Sequence, residues 1–185
     1  MTGKSFAIIL AFALLPGWAF AQTAEQKRME LHKDVESAIA RYKNEDSGID
    51  RFFKKSAGYV VFPKVGKAGL IVGFGHGDGE LLERGRVVGV ASISVGTVGL
   101  QAGAQEYSEI VFFENRAALD RFKQNKFEFA ASASAVIVKA GAAATEKYRD
   151  GVAVFAEPSG GAMVEAAVGG QKFSYKPDAK QPKKK

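Results

Sequence analysis

The stretch VVFPKVGKAGLIVGFGHGDGELL, residues 60–82, sets the architecture of this chain. It opens on the apolar, β-branched run Val60-Val61-Phe62, broken by Pro63. Gly73, Gly75, Gly77 and Gly79 then alternate with a period of two, which in a strand places all four on one face. A strand face stripped of side chains admits the close approach of another backbone, a sharp bend or a ligand. Because Gly77 and Gly79 border Asp78, the pattern predicts a turn there with positive φ at one or both glycines. Such a turn would carry His76 and Asp78 at a loop apex.

Upstream, the texture is helical. Thr23-Ala-Glu-Gln26 fits a capping box, and Leu31, Val35, Ala38, Ile39 and Tyr42 recur at helical spacing behind it. This predicts an amphipathic helix over about residues 24–44 with a core-facing stripe. Ser47 is placed to cap a second short helix bearing Ile49, Phe52 and Phe53, with Lys54 and Lys55 in a last turn that favours cations. Downstream, Arg84-Gly85 predicts a turn, followed by strands over 86–95, 97–105 and 107–113. Asn115 then caps a helix with Ala118, Leu119 and Phe122, stopped at a left-handed Asn125. Further strands are expected over 127–138, 151–156 and 162–175. Strands outnumber helices and are joined by short turns. The expected fold class is α+β: a strongly curved, mostly antiparallel sheet or barrel with a long N-terminal helix and one or two shorter ones.

Composition narrows the function. Of 185 residues none is cysteine, which removes a disulfide framework, a thiol nucleophile and Cys-based metal sites. Of 21 glycines, 11 fall between Gly66 and Gly103. Lys4, the apolar run Phe6–Leu15 and Ala19-Phe20-Ala21 read as a secretory signal peptide over 1–21, so the protein is expected to be exported to the periplasm or secreted. Residues 22–171 carry 19 charges of each sign, and the net basic charge lies in the tail from Lys172 onward. A neutral body argues against a nucleic-acid face. The expected organisation is one domain over 22–175 and a basic, disordered tail over 176–185 that can add attraction to anionic membrane.

No catalytic signature holds. The glycine run contains no GxGxxG, Gly66-Lys67 is followed by Ala68 rather than Ser or Thr, and Ser92 and Ser94 lack the flanking glycines of a nucleophile elbow. His32 and His76 stand 44 residues apart, outside any HExxH. No catalytic residue, metal site or cofactor is assigned. A hydrolase centred on His76, Asp78 and Glu80 remains the catalytic alternative.

From Val60 onward the chain resembles the SYLF, or YSC84-like, family. The resemblance rests on residues 60–82, on GTVGLQAGAQ at 96–105, on ALDRFKQNKFEFAASASA at 118–135 and on GAMVEAAVGGQKF at 161–173. Phe74 stands where relatives often have glycine, and Ala131 where many carry aspartate. The resemblance implies a non-catalytic lipid-binding module, here an envelope-associated domain for anionic, phosphoinositide-type phospholipid. Lys64 and Lys67 match lysine positions of the family block, and with Lys54 and Lys55 they are the expected headgroup contacts. The alternative is an envelope assembly protein engaging a protein partner, actin-type only if the chain is delivered to a host.

Overall fold

The computed structural model describes residues 18–69, 72–98, 104–126, 128–129, 136–159 and 170–178. Among them, helix α1 (Trp18–Glu45) leads through a 3-10 turn (Ser47–Ile49) and α2 (Asp50–Lys55) into strands β1 (Gly58–Gly69), β2 (Val72–Glu83), β3 (Arg86–Val98) and β4 (Ala104–Phe113). Then follow α3 (Arg116–Lys123), β5 (Glu128–Phe129), β6 (Val136–Ile137), α4 (Ala142–Thr145), β7 (Val152–Pro158) and β8 (Gln171–Pro177). The strands form one sheet in the order β5-β8-β3-β2-β1-β4-β7-β6, antiparallel except for β6 beside β7. The expected α+β class with a curved sheet is what the chain adopts, in the open form: β5 and β6 are its two edges.

Period-two alternation in β1 feeds two cores on opposite sides. Tyr59 and Val61 join Ile110, Phe112 and Phe155 on the outer face, where Val35, Ala38 and Tyr42 of α1 and Phe52 of α2 cover them. Val60, Phe62 and Val65 join Val111, Phe113, Val154 and Phe173 on the inner face, closed by Ala118, Leu119 and Phe122 of α3. The sheet curls around this inner core. The rings of Phe62 on β1 and Phe173 on β8 lie 5.7 Å apart although β2 and β3 separate their strands.

The glycines of β2 make the curl sterically feasible. The register of β1 against β2 breaks between Val61 and Gly66, which brings the β1 backbone over the bare face. A Cβ on Gly79 would sit 2.3 Å from the Val61 carbonyl oxygen and 2.6 Å from the Phe62 ring. One on Gly77 would sit 2.6 Å from the Lys64 oxygen, and one on Gly75 2.9 Å from that of Gly66.

Several expectations need correction. β2 runs through Asp78 as regular strand, and neither Gly77 nor Gly79 has positive φ. The reversal comes at Arg84 (φ 51°) and Gly85 (φ 73°), a tight two-residue turn that pairs Glu83 with Arg86. His76 and Asp78 are therefore mid-strand residues, not a loop apex. Thr23 lies inside α1, not at its start. The second cap is Asp46, whose side chain accepts from the Gly48 and Ala143 amides at 2.9 and 2.6 Å, and not Ser47. Strand β3 continues to Val98, and Gln105 belongs to β4. Asn115 caps α3 through the Ala118 amide at 3.0 Å, and Asn125 (φ 56°) follows that helix, as the pattern predicts. Residues 1–17 of the expected signal segment, Ala131, and residues 179–185 of the tail lie outside the described residues; β8 itself extends to Pro177.

Candidate functional site

Residues of β1 alternate from Val65, which packs in the inner core, to Lys67 two positions on, so Lys67 shares the inner face at the glycine-rich end of the curl. It pairs across β2 with Gly75, whose missing side chain leaves the Lys67 Cβ 3.3 Å from where a glycine Cβ would stand. Lys67 is only 7% exposed. Burial holds its ammonium below the usual lysine range, and no carboxylate pairs with it among the described residues. A dehydrated cation without a counter-ion is costly to hold, and an incoming anion relieves that cost.

The other expected lysines do not join it. Lys64 Nζ is spent on Asp34 Oδ2 of α1 at 2.7 Å, and this hydrogen bond raises its pKa. Lys54 and Lys55 are exposed at the end of α2, before β1 begins. At the rise of an extended strand, the nine steps from Gly58 to Lys67 span roughly 30 Å. The four lysines thus form no single patch.

Apolar surface is present at the same end. Phe74 on β2 is 72% exposed, against a buried aromatic core. With Lys67, His76 and Glu106 it lines an open cleft of about 570 Å³. Gly73 and Gly75 flank Phe74, and Gly73 pairs with Gly69 of β1 and Thr97 of β3. The glycines therefore shape the wall of this end.

Deeper on the inner face lies a polar cluster that the sequence reading does not single out. Glu109 on β4 is 1% exposed and takes a hydrogen bond from Gln171 Nε2 of β8 at 2.9 Å, across the curl. Its other oxygen, Oε1, has no hydrogen-bond partner among the described residues. Burial pushes its carboxyl up to about 7, the Gln171 contact offsetting only part of that. Burial likewise pushes the Tyr107 hydroxyl far up. The alternation of Tyr107, Glu109, Val111 and Phe113 along β4 is the signal that puts Glu109 in the core.

The groups of the catalytic alternative separate. Glu80 turns to α1 and pairs with His32 Nδ1 at 2.8 Å, a hydrogen bond that raises the His32 pKa. His76 and Asp78 stay in solvent, 3.6 Å apart. No cluster of three His, Asp or Glu suited to a metal occurs among the described residues. Among the same residues, no helix is long and apolar enough to cross a membrane.

Comparison with known proteins finds a family and a relative. Residues 94–181, from the end of β3 through β8, match the Ysc84 family, described as Las17-binding protein actin regulator. Beta cell expansion factor A of Aeromonas veronii is 26% identical over 154 residues, which is 82% of this chain and 58% of that protein. The chain thus spans a little over half the length of that relative. The family description and the relative's name point to binding or regulation and not to a known enzyme, and over residues 94–181 the chain is similar to the SYLF, or Ysc84-like, family.

Proposed function

We propose that the protein is an exported, non-catalytic domain that binds anionic phospholipid at the envelope, through the glycine-rich end of its curled sheet. The observation that carries this reading is Lys67, a largely covered lysine whose ammonium is partly desolvated, with no carboxylate partner among the described residues. A phosphate headgroup supplies the missing charge, and Phe74, at the same end of the sheet but on its opposite face, supplies apolar contact with the acyl boundary. The SYLF family supports a lipid- or actin-related binding role, and the choice of lipid over protein rests on a covered cation and an exposed ring meeting at one end of the sheet.

Co-sedimentation with vesicles tests it. Near 0.15 M salt, exposed tail charge is screened beyond about 8 Å, whereas a sequestered contact is not. The full chain should pellet with vesicles rich in phosphatidylglycerol and not with phosphatidylcholine alone. Lys67→Gln should lose most of that binding, and removal of residues 179–185 should lower it only at low salt. If Lys67→Gln binds as the parent does, or tail removal abolishes all binding, the folded domain is not the lipid reader. The assembly-protein reading would then lead.

A further inference from the structure

A second cleft, of about 530 Å³, lies away from Lys67, between the first turns of α1 and the outer face of β2, β3 and β8. Residues Thr23–Glu30 of α1 are exposed, and the first buried position among the described side chains is Val35. This part of the helix is instead tied down by Arg28 to Asp178 at 3.0 Å, His32 to Glu80 at 2.8 Å and Asp34 to Lys64 at 2.7 Å. Those ties hold the exposed stretch Thr23–Glu30 over the sheet as a roof, ahead of Leu31, where α1 begins to pack against the outer core.

The floor is a cross-strand row. Asp78 of β2 pairs with Ser92 of β3, which pairs with Ser174 of β8, so all three share one face in register. The two serine hydroxyls are 2.8 Å apart. Charge is graded across the floor, with the Asp78 carboxylate on β2, the hydroxyls in the middle and Lys176 two residues beyond Ser174 on β8, opposite Val90, while Lys27 and Glu30 of the roof also line the cleft. Arg28 and Asp34, which also line the cleft, are already neutralised by their ion pairs. Val90 supplies an apolar patch beside the row.

From this dipolar arrangement we infer that the cleft binds a polar group carrying both a phosphate and a primary ammonium, of the phosphoethanolamine type. The phosphate accepts from Lys176, Lys27 and a serine hydroxyl, and the ammonium donates to Asp78. Ser92 on β3 is one strand spacing, about 5 Å, from Asp78, which is the reach of a two-carbon bridge from the ammonium to a phosphate on the serines, and β8 with Lys176 lies one spacing further. Asp78 also sets a selectivity: a quaternary ammonium has no N–H to donate, so a choline headgroup forfeits a charge-assisted hydrogen bond.

Amide chemical shifts of the full chain test this, with O-phosphoethanolamine, phosphocholine, inorganic phosphate and ethanolamine as separate probes. Phosphoethanolamine should shift Asp78, Ser92 and Ser174 and saturate at concentrations about tenfold below phosphocholine or phosphate, the value of one charge-assisted hydrogen bond. Asp78→Asn should bring phosphoethanolamine and phosphocholine level, and Lys176→Gln should weaken both. Both positions are exposed, so a dispersed spectrum will show that the variants fold. Lys67→Gln should leave these shifts unchanged, which separates this site from the anionic-lipid contact. Vesicles with ethanolamine headgroups, compared with choline ones, distinguish a lipid source from a free small molecule. Equal saturation by inorganic phosphate, unaltered selectivity in Asp78→Asn, or no shift at these residues with any probe would overturn the assignment.

Discussion

Replacing Glu109 with glutamine should make the protein less sensitive to pH, in a direction and size set by its burial. Glu109 is enclosed in the curl with one oxygen bonded to Gln171 and the other unpartnered among the described residues. Its carboxyl is raised from 4.5 to about 7 because the charged form is desolvated. A carboxyl with a raised folded pKa favours the native state while protonated. Its contribution is therefore full below the unfolded value of 4.5 and is lost as pH rises through the folded value near 7. A difference of this size corresponds to about 3 kcal/mol, most of it lost between pH 5 and pH 8. Glu109→Gln keeps the shape and an amide able to meet Gln171, but never has to ionise. Urea denaturation of both proteins at pH 5 and pH 8 measures the effect. The variant should gain roughly 2–3 kcal/mol on the parent between the two conditions. His32 titrates in the same range but is common to both proteins, so it cancels in the comparison. A stability difference that does not change with pH would refute the reasoning and mean that Glu109 is hydrated or paired.

Gly79→Val should destabilise by about 1–3 kcal/mol through overpacking against Val61 and Phe62, whereas Gly66→Ala, with open space around the new Cβ, should change the thermal melt little. The imidazole of His32 should titrate above 6.5 by NMR and fall back in Glu80→Gln. The stability it lends is present below 6.5 and is lost as pH rises through the raised folded value. Asn115→Ala removes the side-chain cap on α3 and should lower stability by about 1 kcal/mol in chemical denaturation.

What can be read from the sequence divides along physical lines. Gly73, Gly75, Gly77 and Gly79 are legible as one bare face because side-chain direction in a strand follows position alone. What lies against that face is set by the register break in β1 between Val61 and Gly66, which has no local signature. The turn misplaced at Asp78 shows the same limit. Glycine permits positive φ but does not demand it, and here Gly77 and Gly79 serve contact instead. Of the four lysines, charge and position cannot separate Lys64 from Lys67. The difference is a carboxylate, Asp34, brought from α1 to one and not to the other. His32 and Glu80 are 48 residues apart in sequence, and only the docking of α1 on β2 joins them. Phe74 was the readable clue, a large ring alternating with glycines and so placed opposite their face.

The central claim is that the glycine-rich end of the sheet meets the lipid surface. The most direct measurement places a tryptophan there: Phe74→Trp in a Trp18→Phe background makes it the sole tryptophan of the chain. On addition of phosphatidylglycerol vesicles, its emission should shift to the blue and be quenched by brominated acyl chains, because the indole enters the interface. A matching Met29→Trp probe on α1, which is also exposed, should report no such change. If the protein pellets with the vesicles while the emission of Trp at position 74 stays that of a water-exposed indole, the membrane is bound elsewhere and the account is wrong.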